Sequence, residues 1–109
     1  MGASTVAVND ETFETEIEKH NGVSIVDFWN TGCPPCRMLS PILDELAAEL
    51  SGKVKIAKVD IDEATDITVQ NRVTSIPCLI MFKDGQEVDR AYGYQPKAQL
   101  KSWIESHVK

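Results

Sequence analysis

The sequence predicts one α/β domain, a mixed central β-sheet flanked by helices on both faces. Three observations carry that expectation. Segments with strand-like apolar runs alternate with segments of helical spacing, the order that builds a sheet between helical layers. The run Val23–Trp29 is nearly continuous in apolar residues, as a central strand covered on both faces is. Near the end of the chain, Lys83-Asp84-Gly85-Gln86 is a turn joining two strand-like runs, so the sheet ends in a hairpin and is not wholly parallel. The 109 residues suffice for one hydrophobic core and not for two domains, so a single domain is expected over 1–109.

A short strand is expected near residues 4–8. Asn9 and Asp10 then offer caps for a helix over residues 10–20, with Phe13 and Ile17 four apart on one face. The strand Val23–Trp29 leads into the cysteine pair, where a second helix starts; Pro34 is tolerated in its first turn because that N–H would be unpaired anyway. Met38, Leu39, Ile42, Leu43, Leu46, Ala47 and Leu50 form its apolar stripe. Pro41 predicts a kink and Gly52 a stop. Val54–Ile61 alternates as a strand should, 64–71 reads as a short helix, and Cys78–Phe82 is a third apolar strand. Its hairpin partner is Glu87–Tyr92. Pro96 opens a last helix with Leu100, Trp103, Ile104 and Val108 on its inner face. Right-handed crossovers make the early part a βαβ unit.

Composition removes several function classes. With 42% apolar and 26% charged residues the chain is of globular rather than disordered type. A formal charge of −6 supplies no basic face for nucleic acid. No apolar run reaches the ~20 residues of a membrane span, and Met1–Thr5 lacks the basic and apolar regions of a secretory signal. His20 and His107 lie near opposite ends with no ligand spacing, so structural zinc is not expected.

The chemistry concentrates at Cys33-Pro34-Pro35-Cys36, where a buried strand meets a helix N-terminus. A CxxC pair beside a βαβ pattern is the signature of a dithiol redox centre. The helix end offers unpaired N–H groups and partial positive charge to a Cys33 thiolate. Cys36, one turn on, can close a disulfide and expel a bound partner. Cys33 is thus the expected attacking thiol and Cys36 the resolving one. The bare spacing also fits half a metal site or two core cysteines, and it is the strand–helix context that favours redox chemistry.

The runs VDFW, CPPCRMLSPILDELA, VDID and SIPCLIMFKDG, with the later Gly93, resemble the thioredoxin family in order and spacing over essentially the whole chain. The resemblance implies the thioredoxin fold. It implies a protein-disulfide reductase with no cofactor beyond the Cys33–Cys36 disulfide, recharged by a thioredoxin-reductase-type donor. A cytoplasmic monomer acting on disulfide-containing proteins is expected, with no nucleic-acid or membrane partner. Asp27 then becomes a buried proton acceptor working through water on Cys36, and Lys58 the lysine that pairs with it; a structural ion pair is the alternative. Ile76-Pro77 resembles the family's cis-proline loop, whose Ser75 and Ile76 backbone would pair with an extended substrate, against an ordinary trans proline entering a strand. Trp29 would pack beside the disulfide or simply fill the core. Gly93 would admit substrate close to the backbone or serve only as a turn.

The chain also departs from the family pattern. Gly32 stands where tryptophan is usual, which opens the cleft, and Pro34 replaces a glycine. Pro34 removes an N–H that could face the sulfur and stiffens the turn, two effects that oppose each other in the redox potential. Both residues therefore bear on substrate binding. Cys78 follows Pro77 where threonine is usual. It reads as a small core residue, as a third, redox-modulating thiol, or as a soft-metal ligand. In the last case three thiolates would hold an iron–sulfur cluster across a dimer, the alternative to catalysis, alongside a partner subunit that uses the fold only for docking.

Overall fold

The computed structural model describes residues 4–108; the reading of Met1–Ala3 lies outside them. The elements are β1 (Thr5–Ala7), a π-helical turn (Glu14–Glu18), β2 (Val23–Trp29), α1 (Pro34–Glu49), β3 (Val54–Asp60), α2 (Thr65–Gln70), β4 (Cys78–Lys83), β5 (Gln86–Tyr92) and α3 (Lys97–Val108). Among the described residues the strands form one mixed sheet ordered β1-β3-β2-β4-β5. β1, β3 and β2 run parallel, while β4 and β5 are antiparallel additions.

The continuous apolar run of β2 is explained by a core on each face. Val23 and Ile25 pack towards α1 and α3, with Leu39, Leu43, Leu46, Leu79, Met81, Leu100 and Ile104. Val26 and Phe28 pack on the opposite face with Phe13, Ile17, Val59, Ile67 and Ile80. Side chains alternate along a strand, so Asp27 points to the α1 side while Cys78, in the second core, points to the other. α1 runs unbroken through Pro41; the missing N–H costs one intrahelical bond without ending the helix.

The expected helix over 10–20 is not formed as such. Asn9 Oδ1 accepts from Glu11 N at 2.9 Å and Thr12 N at 3.1 Å, holding a turn there, and only the π-helical turn follows. Asp10 instead reaches α2, accepting from Ile67 N at 2.9 Å. Phe13 and Ile17 are still buried, and Phe13 meets Phe82 edge-on at 5.8 Å.

The β4–β5 turn places Asp84 at φ 51° and Gly85 at φ 84°, the left-handed pair that matches strand twist in a two-residue hairpin. Asp84 Oδ1 accepts from Gly22 N at 2.7 Å, tying the hairpin to the start of β2. A Cβ on Gly85 would stand 2.0 Å from the Glu18 carbonyl oxygen. Gly85→Ala is therefore expected to destabilise the protein by about 3 kcal/mol or more, because overpacking against backbone adds to left-handed strain. A lower urea midpoint at unchanged slope is the measurement that checks it.

Candidate active site

The redox pair stands where β2 hands over to α1. Cys33 is the N-cap of α1 in extended conformation (φ −112°, ψ 100°), with Pro34 and Pro35 at the first two helical positions. Both prolines are exposed. Cys33 and Cys36 form a disulfide, their Cα atoms 5.2 Å apart. Cys36 N donates to Cys33 Sγ at 3.2 Å, an N–H at the helix end of the kind that steadies negative charge on sulfur. Cys33 is 8% exposed and Cys36 2%, so Cys33 is the more accessible sulfur.

The loop before Cys33 is braced in two ways. Gly32 N donates to Asn30 Oδ1 at 3.1 Å, and Arg37 Nη1 donates to the Thr31 carbonyl at 2.7 Å. Gly32 itself is exposed, and a Cβ there would meet only Asn30 Oδ1, at 3.9 Å. The side of the cleft where an indole would stand is thus open.

Beneath the disulfide lies a cavity of about 160 Å³ lined by Asp27, Trp29, Cys36, Arg37, Ser40 and Lys58. At ~30 Å³ per water it has room for a few solvent molecules. Asp27 is 1% exposed, and its Oδ1 has no hydrogen-bond partner among the described residues. Burial pushes its carboxyl up to about 7, against the opposing charge of Lys58. Trp29 is half-buried, and its Nε1 is also unpartnered. A larger hollow of about 380 Å³ lies between Asn21 and Lys55 and contains neither cysteine, so size does not locate the chemistry here.

Lys58 is in register with Asp27 across β2–β3, but the expected direct pair is not made. Its Nζ donates to Ser40 Oγ at 2.6 Å and Asp44 Oδ1 at 2.8 Å, leaving Asp27 with only a through-space influence. Ser40 and Asp44 are site residues that sequence reasoning missed. The available signal was spacing: Cys36, Ser40 and Asp44 fall four apart, on one face of α1.

The cis-proline loop reaches the same end of the sheet. Cys78 pairs with Phe28 and with Tyr92, which puts Pro77 and Gly93 level with Trp29. The Ile76–Pro77 peptide is cis, and Gly93 N donates to the Pro77 carbonyl at 2.8 Å. Gly93 adopts φ 84°, in the left-handed region that glycine tolerates. Pro77 is buried, Ile76 half-buried and Ser75 exposed. Among the described residues, Ser75 and Ile76 form no backbone hydrogen bond.

Cys78 is a free thiol with no exposed surface, and burial pushes it up against the opposing charge of Arg90. It sits in the core opposite α1, because the strand parity of β4 turns it away from Cys33 and Cys36. A cis-proline loop level with the redox pair would bring Cys78 near it as well, but Cys78 is buried in the second core. The three sulfurs do not gather round one cleft, and among the described residues no three His, Cys, Asp or Glu side chains form a group that could hold a metal.

A reversible dithiol at a helix N-terminus, on a mixed sheet with a cis-proline loop at the same end, defines a protein thiol–disulfide oxidoreductase. The family model described as Thioredoxin matches residues 4–106. Thioredoxins of Staphylococcus aureus, from strains Mu50 / ATCC 700699 and MW2 among others, are 47% identical over 103 residues, covering 94% of this chain and 97% of theirs. The chain belongs to the thioredoxin family. Its redox centre is the Cys33–Cys36 pair, its substrates are proteins with disulfides, and its electrons come from a reductase.

Proposed function

We propose that the chain, as one monomeric domain, reduces cytoplasmic protein disulfides with Cys33 attacking and Cys36 resolving. The observation that carries this reading is the placement of Cys33 as the N-cap of α1, the more accessible sulfur of the pair, with Cys36 set deeper over the cavity that holds Asp27.

The reaction runs in two exchanges. The Cys33 thiolate attacks one substrate sulfur; a Cys33–substrate S–S bond forms, the substrate disulfide breaks, and the first substrate sulfur leaves as thiolate. Cys36 gives its proton, through water in the cavity, to Asp27 and attacks Cys33 Sγ. The Cys33–Cys36 bond forms, the mixed disulfide breaks, and the second substrate thiolate leaves, so the substrate gains two electrons. An Asp27 carboxyl near 7 matches a base working near neutrality. Lys58, held by Ser40 and Asp44, limits how far burial raises that carboxyl. Ser75 and Ile76 offer their unpaired backbone to an extended substrate segment, as an added strand would; Gly93 leaves space beside them, and Trp29 forms one wall of the cavity.

Three observations bear on the setting. Among the described residues no helix is long and apolar enough to cross a membrane. The net charge is −6, which disfavours nucleic acid. Cys78 is a buried core residue on the opposite face from the redox pair, which supports a packing role.

Limited alkylation tests the division of labour. The fully reduced protein, treated with one equivalent of iodoacetamide at neutral pH, should carry the label at Cys33 over Cys36 by about tenfold or more, because the helix end favours the outer thiolate. Tandem mass spectrometry reads the site. Preferential labelling of Cys36 would reverse the roles.

A further inference from the structure

The guanidinium of Arg90 has all five N–H donors engaged. Nε and Nη2 each donate to the Glu87 carboxylate at 2.8 Å. Nη1 donates to Tyr92 Oη at 3.2 Å and to the Arg72 carbonyl at 3.3 Å. Nη2 also donates to the Asn71 carbonyl at 2.8 Å. No residue of the redox pair takes part.

A break in strand regularity makes this cluster possible. Residues three apart on a regular strand face opposite sides of the sheet. In β5 the register shifts, with Met81 opposite Asp89 and Phe82 opposite Glu87, so Val88 is an extra, bulged residue. The bulge restores parity and brings Glu87 to the face that Arg90 and Tyr92 already share. Glu87 and Tyr92 then hold the fork in one orientation, and the donors left over point at the carboxyl end of α2.

That end needs partners. The last carbonyls of a helix have no intrahelical donor, and Arg72 at φ 56° turns the chain out of α2. From a different element, Arg90 donates to the carbonyls of Asn71, the C-cap of α2, and of Arg72, the residue after it. Beyond them the chain runs through Val73, Thr74, Ser75 and Ile76 to Pro77, whose carbonyl is held by Gly93 N at 2.8 Å. The loop is thus anchored at both ends, by Arg90 of β5 at its start and by Gly93, the residue after β5, at its finish. Between the anchors its main-chain tie is Val73 N to the Thr68 carbonyl at 3.1 Å, leaving the backbone of exposed Ser75 and half-buried Ile76 unpaired but held in position.

We infer that Arg90 is a positioning residue for substrate docking: oriented by Glu87 and Tyr92, it clamps the end of α2 and so presets the 73–76 loop against which a protein disulfide lies. The inference rests on the proposed pairing of Ser75 and Ile76 with substrate. It separates two kinds of reaction. An extended protein substrate needs the loop in place, whereas a small aromatic disulfide such as 5,5′-dithiobis(2-nitrobenzoate) needs only an accessible Cys33.

The experiment compares Arg90→Gln, Arg90→Lys and Ser75→Pro with the unmodified chain, using insulin and the small disulfide. Arg90→Gln should raise KM for insulin by about fivefold, the scale of one ordinary hydrogen bond, with kcat and the small-disulfide rate within about twofold. Arg90→Lys keeps the charge but not the planar fork, so it should recover less than half of the lost affinity. Ser75→Pro deletes an N–H that the docking reading offers to substrate and should raise KM by itself. An unchanged KM in Arg90→Gln beside a raised KM in Ser75→Pro overturns the clamp alone. An unchanged KM in both overturns the clamp together with the loop reading. Equal losses with insulin and the small disulfide would mean general destabilisation, which also overturns it.

Discussion

Cys33→Ser should abolish reduction of insulin by dithiothreitol above the uncatalysed rate, a loss of at least about 10³-fold, while Cys36→Ser should halt the reaction at a covalent complex with substrate. The two outcomes differ because the sulfurs have different duties. Without the Cys33 sulfur no bond to substrate forms, since a serine hydroxyl neither ionises near neutrality nor makes a disulfide. Without the Cys36 sulfur the first exchange still proceeds, but nothing within reach can attack the mixed disulfide. With no thiol added to the solution the complex should persist, because its resolution then depends on the missing Cys36 sulfur. Insulin turbidity measures the first outcome. A reductant-sensitive adduct on a non-reducing gel, with the mass of protein plus substrate, measures the second. Turnover surviving in Cys33→Ser, or an adduct formed by that variant instead, would remove Cys33 from the attacking role.

The elements legible in the sequence are those whose cause is local. Continuous apolar runs located β2 and β4 to within a residue, because a strand buried on both faces has few other compositions. Asp84-Gly85 located the hairpin because few residue pairs accept two left-handed positions. The segment after β1 was misread for a non-local reason. Asp10 looks like a cap for its own helix, yet its carboxylate serves Ile67, 57 residues away. With Asn9 held in a turn, the predicted helix shrinks to the π-helical turn, and only its buried pair, Phe13 and Ile17, survives from the pattern.

The site divides along the same line. Cys33 and Cys36 are three residues apart and announce themselves. Asp27 stands out as a carboxylate inside an apolar strand. The partner of Lys58 was not legible, since strand register puts Asp27 beside it, while the choice of Ser40 and Asp44 depends on how α1 lies across β3. Arg90 was hidden more deeply. Strict alternation places Glu87 and Arg90 on opposite faces, and only the bulge at Val88 brings them together. Cys78 shows the reverse case. Its neighbour Pro77 belongs to the loop that reaches the redox end of the sheet, whereas parity along β4 assigns Cys78 to the second core.

Asp27→Asn should stabilise the oxidised protein at alkaline pH, leave it nearly unchanged in acid, and slow the resolving step where the native carboxylate is ionised. In the unfolded chain this carboxyl ionises at its ordinary 3.8, but burial holds the proton on in the folded protein up to about 7, with Lys58 acting in the other direction. A raised acid favours the folded state only while protonated. Its contribution is therefore complete below about pH 4, is lost progressively as pH rises, and is gone above about pH 7. The gap of about three pH units corresponds to ~4 kcal/mol. Asparagine has no proton to lose, so the stability difference between variant and native protein, read by urea unfolding, should grow by about that amount between pH 4 and pH 8.5. A constant difference would mean that the carboxyl titrates normally. The kinetic consequence carries the opposite sign. An ionised Asp27 can take the Cys36 proton, so at pH 8 Asp27→Asn should turn over roughly 10- to 100-fold more slowly, at or below the low end of general-base effects because water and the thiol's own ionisation remain available. Below about pH 6 the native carboxyl is itself protonated, and the two rates should converge. Taking their ratio cancels the titration of Cys33, which both proteins share. A ratio that stays flat with pH would leave Asp27 a buried charge with no part in the proton transfer.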